Sequence, residues 1–318
     1  MSVSPHPGRS GRAAENRDPL AASLRTEALR GHAAMLLFAT LISGSFSLGG
    51  MAAGFIDPGA LTAARFTIAA VVLGTVAVAT GALRRHDLRA PWRYPAVGGL
   101  LAAYFVLMFE GLRLATPVSM AAVFTMTPLM TAGLARLIVG QRSSVPVLAA
   151  LLLAAVGALW VIFRADFDRL LAFDIGPGEA LFLVGCFCHA LFIPLVRRFS
   201  RGETGVAFTF WTVVAAAMLT GVYAAEALAG TDWSALPPIV WITLVYLAVG
   251  TSAVTLFLLR YAALRLPSAK VMAYGYLIPS LVAVEEGVLG HGWIAAPVLP
   301  GVAATVAALV WLVALRDR

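Results

Sequence analysis

A chain of 318 residues in which 60% are apolar and only 12% charged lacks the surface of a soluble globular protein, where about a quarter of residues carry charge. Its net charge of +7 comes from arginines set between apolar runs, which excludes a nucleic-acid-binding face, and two cysteines provide no disulfide framework.

Residues 1–30 are polar, carry Pro5, Pro7, Gly8 and Gly11, and lack the apolar core of a signal peptide. They are expected to form a disordered cytoplasmic tail. Ten apolar runs follow, at about 32–53, 59–81, 95–112, 118–138, 145–163, 178–196, 207–228, 238–259, 268–288 and 294–315. Each approaches the roughly 20 residues that cross about 30 Å of hydrocarbon, where backbone groups must be bonded within the segment, so the runs are expected to be helices.

The same pattern occurs twice. Leu112-Arg113-Leu114, Pro128 and Gly140 in the first half answer Leu264-Arg265-Leu266, Pro279 and Gly290 in the second. The spacing predicts an all-α membrane protein of ten transmembrane helices, with five in a first repeat at 31–163, an outer linker at 164–177, five in a second repeat at 178–315, and a cytoplasmic end at 316–318. An odd number per half inverts the second repeat relative to the first. Arg84, Arg85, Arg89, Arg93, Arg142, Arg197, Arg198 and Arg201 fall in alternate connections, whereas the others gather Asp57, Asp166, Asp168, Asp174, Glu226 and Asp232. By the positive-inside rule both termini are cytoplasmic and the chain is multi-pass in the cell membrane.

Ionisable groups inside apolar runs are costly and mark functional positions. Arg65, in the second run, is read as a structural charge. Glu110, near the outer end of the third, is suited either to pairing with Arg65 or to holding a proton or a substrate amine. Glu285 and Glu286 at the end of the ninth run read as a solvated rim, and Arg136 and Lys270 as snorkelling side chains. Cys186, Cys188 and His189 resemble a metal cluster, but Cys186 and His189 share a helix face and Cys188 does not, so no metal site is expected. His189 fits either an interhelical hydrogen bond or a role in substrate contact or proton handling. Ser43, Tyr104, Glu110, Thr125, His189, Trp211, Tyr274 and Tyr276 form the candidate substrate-binding set, because aromatic walls with a few hydroxyls suit neutral or amphipathic molecules. Pro128 and Pro279 free backbone carbonyls at equivalent points of the two halves and read either as hinges or as static kinks.

Four segments carry a resemblance: IDPGALTAARFTIAAVVL at 56–73, GLRLATPVSMAAVFTMTPLMTAGLARLIVGQR at 111–142, GEALFLVGCFCHALFIPLVRR at 178–198 and YAALRLPSAKVMAYGYLIPSLVAVEEGVLG at 261–290. Through them the chain resembles the drug/metabolite transporter superfamily, in the branch built from two EamA-type domains. Where that family commonly ends its fourth helix with Gly-Glu, this chain reads Gly140-Gln141 and Gly290-His291. The resemblance implies a secondary transporter with a central cavity opening alternately to either side. The reading is an exporter of small organic metabolites, such as amino acids or related amphipathic compounds. It acts as monomer or homodimer in the bilayer, with proton coupling an open option and no cofactor. No GxxxxGK[ST] sequence is present, so ATP is not its direct energy source. An integral membrane transferase is the weaker alternative, because Asp166, Asp168 and Asp174 have no second acidic cluster. A non-transporting sensor is the other.

Overall fold

The computed structural model describes residues 17–141, 144–172, 175–263, 265–266, 271 and 274–314, with side chains from residue 26 onward. Residues 1–16, Asp174, Leu264, Lys270 and 316–318, to which the sequence assigned a tail, a linker acid, a repeat motif, a snorkelling cation and a terminus, lie outside the described residues.

The described elements are helical throughout. We number ten: α1 (Arg17–Ala52), α2 (Pro58–Ala79), α3 (Arg93–Leu112), α4 (Pro117–Val139), α5 (Val145–Ile162), α6 (Pro177–Phe199), α7 (Gly205–Tyr223), α8 (Pro238–Ala263), α9 (Tyr274–Val288) and α10 (Leu299–Ala314). Starts follow local chemistry. Asp57 accepts from the Ala60 N–H ahead of α2, Thr116 from the Ser119 N–H ahead of α4 and Thr204 from the Ala207 N–H ahead of α7. Pro58 and Pro117 occupy first-turn positions, where a missing N–H costs nothing.

Helix α1 begins at Arg17, so residues 17–30 are helical rather than part of a disordered tail. The stretch LAASLRTEALR is made of good helix formers with no internal breaker, and Glu27 is held by Arg30 at 2.6 Å and by Arg265 at 2.8 Å. Among the described residues, eight helices are long and apolar enough to cross a membrane. The described parts of the other two expected spans are shorter. Helix α9 is a 3-10 turn at Tyr274–Leu277 followed by 11 α-helical residues, and α10 has 16 residues.

Three helices are irregular. Helix α4 breaks between Pro117–Phe124 and Thr127–Val139, with Pro128 in the first turn of the second piece. Proline cannot donate to the carbonyl four residues back and collides with it, which ends the first piece at Phe124. Pro279 likewise lies in the first turn of the α-helical piece Ile278–Val288, directly after the 3-10 turn Tyr274–Leu277. Helix α8 passes from Pro238–Val245 through a π-helical stretch, Tyr246–Val254, into Thr255–Ala263.

Packing pairs the two halves. Helix α1 lies against α8 and α9, α6 against α3 and α4, α2 against α7, and α5 against α10. Small residues permit close approach. A Cβ on Gly111 of α3 would stand 2.8 Å from the Gly178 carbonyl of α6, and one on Gly178 only 2.7 Å from the Gly111 carbonyl.

The loops divide into an arginine-rich end and an acidic end. At the former, Arg93 is 0% exposed and joins the start of α3 to the α6–α7 loop. It donates to Glu203 at 2.6 Å, to the Arg89 carbonyl at 2.9 Å and to the carbonyl of Phe199. Burial alone would push the Glu203 carboxyl up, but Arg93 and the Arg201 N–H together hold it below the usual carboxylate range.

Candidate functional site

Helices α1, α3, α4 and α6 converge on a box of rings. Phe46 of α1 is 6.0 Å from Phe124 and 6.0 Å from Phe182, centroid to centroid. Tyr104 of α3 lies 5.6 Å from Phe182 and 4.6 Å from His189, and His189 is 5.8 Å from Phe124. Phe124 is the last residue before the α4 break, so the break sets one wall of the box. Two neighbouring ring contacts, Tyr104–Phe105 at 4.6 Å and Phe66–Phe105 at 5.6 Å, carry the wall toward α2.

Behind that wall sits Arg65, 1% exposed. Its guanidinium carbon is 3.6 Å from the Phe105 ring centroid, and Nη2 donates to the Thr251 hydroxyl at 3.2 Å. The π-helical stretch of α8 presents Thr251, whose own proton goes to the Leu247 carbonyl at 2.8 Å, leaving its oxygen free to accept. Arg65 Nε and Nη1 are buried without partners, and no carboxylate pairs with Arg65 among the described residues. A desolvated cation–π contact returns about 2 kcal/mol, less than the several kcal/mol that burying a charge costs. His189 Nδ1 is likewise buried and unpartnered beside Tyr104.

Glu110 does not meet Arg65. It pairs with Arg113 at 3.4 Å, with side chains 35% and 49% exposed, because Glu110 lies in the last turn of α3 and Arg113 caps it at the acidic end. The rim reading of Glu285 and Glu286 is also corrected. Glu285 Oε1 lies 2.5 Å from the Ser43 hydroxyl and Oε2 lies 3.3 Å from that of Ser47, both on α1. Glu286 is 7% exposed and contacts His291 Nδ1 at 3.0 Å. The close packing of α1 on α9 turns what would be a helix-end surface into an interface.

The expected substrate-binding set is therefore divided. Tyr104 and His189 share the box, and Thr125 borders it with its hydroxyl bonded to the Ala122 carbonyl at 2.7 Å. Ser43 is engaged by Glu285. Trp211 stacks near Tyr94, 6.3 Å away, with a buried, unpartnered Nε1. Tyr274 bonds His32 at 2.9 Å, and Tyr276 packs among Ala150, Ala154 and Ala308 between α5 and α10. Sequence reasoning passed over Phe46, Phe182 and Glu179. Glu179 is 3% exposed and accepts from Ser119 at 2.7 Å, in the first turn of α6, where backbone N–H groups favour an anion. Among the described residues no three His, Cys, Asp or Glu side chains form a metal-holding group.

Two cavities lie outside the box. One of about 290 Å³ is bounded by Ala53–Asp57 and Arg113 at the acidic end. The other, about 410 Å³ and apolar, runs between α3 and α7 past Gly99, Val106, Leu219 and Tyr223.

Many apolar helices, charges paired or confined to their ends, and a ring-lined centre with an unanswered guanidinium define a multi-pass membrane transporter. Residues 29–163 match the EamA-like transporter family. A curated relative, described as the uncharacterized transporter YyaM of Bacillus subtilis (strain 168), is 25% identical over 258 residues, 80% of this chain and 85% of that one. Both findings support the EamA-type branch of the drug/metabolite transporter superfamily. A solved structure, titled only as the crystal structure of a protein, shares the fold with TM-score 0.63 and 22% identity, over 90% of this chain and 97% of that one.

Proposed function

We propose that this protein is a secondary exporter of small amphipathic metabolites that bear a carboxylate, amino acids among them, working by alternating access. The observation that carries the reading is Arg65. Its two unpartnered nitrogens, buried against the aromatic box, have the chemistry to receive a substrate carboxylate while the rings of Phe46, Tyr104, Phe124 and Phe182 cover an apolar side chain.

The helix pairing supports the inverted-repeat mechanism. Advancing each helix by five turns the contacts of α1 with α8 and α9 into those of α6 with α3 and α4, and returns α2 on α7 and α5 on α10 to themselves. This is the pattern expected of two swapped five-helix halves. The interrupted α4 and α9 are equivalent in that scheme, and Pro128 and Pro279 are their hinges. The protein is placed in the cytoplasmic membrane with its arginine-rich end inside.

Counterflow in proteoliposomes tests the reading. Vesicles preloaded with pooled unlabelled amino acids should accumulate the matching labelled pool transiently, and Arg65→Met should abolish the signal. Uptake indifferent to a substrate carboxylate, or unchanged in R65M, overturns the assignment of Arg65.

A further inference from the structure

We propose that Glu285 is a proton-binding site through which the α1–α9 seam is coupled to the proton gradient. The proposal rests on the transporter reading and identifies a group that supplies its drive.

The Ser43 hydroxyl lies 2.8 Å from the Thr40 carbonyl of its own helix and 2.5 Å from Glu285 Oε1. A hydroxyl has one hydrogen, and a carbonyl oxygen can only accept. If Ser43 donates to Thr40, the short contact to Glu285 requires the second hydrogen to come from the carboxyl, so Glu285 is the neutral acid donating to Ser43. If Glu285 is ionised, Ser43 must release Thr40 and turn to it. The two protonation states therefore impose two hydrogen-bond arrangements on α1.

Among the described residues no lysine or arginine pairs with Glu285 to hold it ionised. Helix α1 offers Ser43 and Ser47, and α8 offers Tyr246, whose hydroxyl donates to the Leu41 carbonyl at 2.8 Å. The described parts of α4 before its break and of α10 contribute no titratable group. From α9 and the loop beyond come Glu286 and His291, paired with each other at 3.0 Å, and Glu286 adds negative charge beside Glu285. Glu285 also stands in the last turn of the helix that ends at Val288, where the carbonyl ends of the helix dipole oppose a carboxylate. Glu179 differs in this respect. It lies in a first turn, so its burial needs no proton.

The seam is wired to the box. Phe46 lies between Ser43 and Ser47 on α1 and meets Phe124 and Phe182. When Glu285 gives its proton to water on the side then open to it, the Ser43 and Ser47 hydroxyls rearrange, and the α1 segment carrying Phe46 is the element they move. Reprotonation from the opposite side restores the first arrangement.

Infrared difference spectroscopy of the purified full chain in lipid, titrated upward from neutral pH, tests this without any substrate. A protonated-carboxyl C=O band should be present at neutral pH and bleach as pH rises. It should be lost in Glu285→Gln, retained in Glu110→Gln, Glu179→Gln and Glu286→Gln, and shifted in frequency by Ser43→Ala, which removes the hydroxyl and leaves the acid in place. A band unaffected by both E285Q and S43A, or no band in the wild type, overturns the proposal. The separate transport arm uses pooled labelled amino acids. Because glutamine imitates the neutral acid, E285Q should retain counterflow and lose accumulation driven by an imposed pH gradient. Wild-type counterflow with no response to the gradient overturns the proton site, whereas absence of counterflow in the wild type overturns the amino-acid reading and leaves the infrared result to decide Glu285.

Discussion

The guanidinium of Arg65 lies 3.6 Å from the Phe105 ring centroid with two nitrogens unpartnered, so α2 and α3 hold a charge that no described side chain neutralises. A purely structural cation would be expected to have a carboxylate, and breaking its contacts would destabilise the fold. A binding cation has the opposite signature. Replacing a buried ion pair with well-packed apolar residues is commonly neutral or stabilising by about 1–4 kcal/mol, and removing Arg65 leaves no partner carboxylate behind among the described residues. Arg65→Met is therefore expected to leave the melting temperature in detergent unchanged or raised while counterflow is lost. Arg65→Lys should not restore it, because an ammonium neither lies flat on Phe105 nor offers donors in a planar fork. A lowered melting temperature in R65M would assign the residue to structure instead.

The α4 break makes a second prediction. Pro128→Ala supplies the N–H that the Phe124 carbonyl lacks and removes the ring that clashes with it, so a continuous helix becomes accessible. If the break is a hinge, the variant folds as well as the wild type and its counterflow slows several-fold, and Pro279→Ala behaves alike because it occupies the matching turn of α9. Unaltered rates in both would make the prolines static kinks.

What the sequence revealed and what it hid follow different physics. Spans are written locally, because about 20 apolar residues are needed wherever the chain lies, and Pro128 and Pro279 announce their breaks by the hydrogen bond they cannot make. The aromatic box was only half legible. Tyr104 and His189 stand out by their polar atoms, whereas Phe46 and Phe182 are indistinguishable in sequence from the exposed Phe55 and Phe187 until helix faces are known. Glu285 was misread for the same reason. Its distance from a helix end suggests water, and only the approach of α1, with Ser43 and Ser47 on the facing turns, removes it. Spacing along one helix does not report which helix lies opposite.

The Arg93–Glu203 pair predicts an acid-sensitive clamp. Both side chains are 1% exposed, so removing one partner leaves a buried charge, and Glu203→Gln should cost about 3 kcal/mol of stability. Glu203 is held below its ordinary value of 4.5, so its folded form binds a proton less readily than its unfolded form. The stabilisation is complete above 4.5 and is lost as pH falls through the lower, folded value. Melting curves between neutral and acidic pH should show a falling stability in this window in the wild type and a smaller fall in E203Q. Parallel curves would remove Glu203 from the clamp.

Orientation can be decided from the two ends themselves. Arg84 sits beside Asp87, whose carboxylate accepts from the Arg84 N–H at 2.7 Å, in the connection that also holds Arg85 and Arg89, whereas Asp168 lies in the short helix Phe167–Ala172 of the opposite connection. Positive residues are retained on the cytoplasmic side during insertion, so the first connection should be inside and the second outside. Cysteines introduced by Arg84→Cys and Asp168→Cys, in a background with Cys186→Ala and Cys188→Ala, separate the two cases, since both native thiols lie within α6. A membrane-impermeant maleimide added to intact cells should label position 168 and reach position 84 only after the membrane is opened. The reverse pattern would invert the whole chain. It would also turn the direction of the proton movement assigned to Glu285, because α9 ends at the face that Asp168 marks.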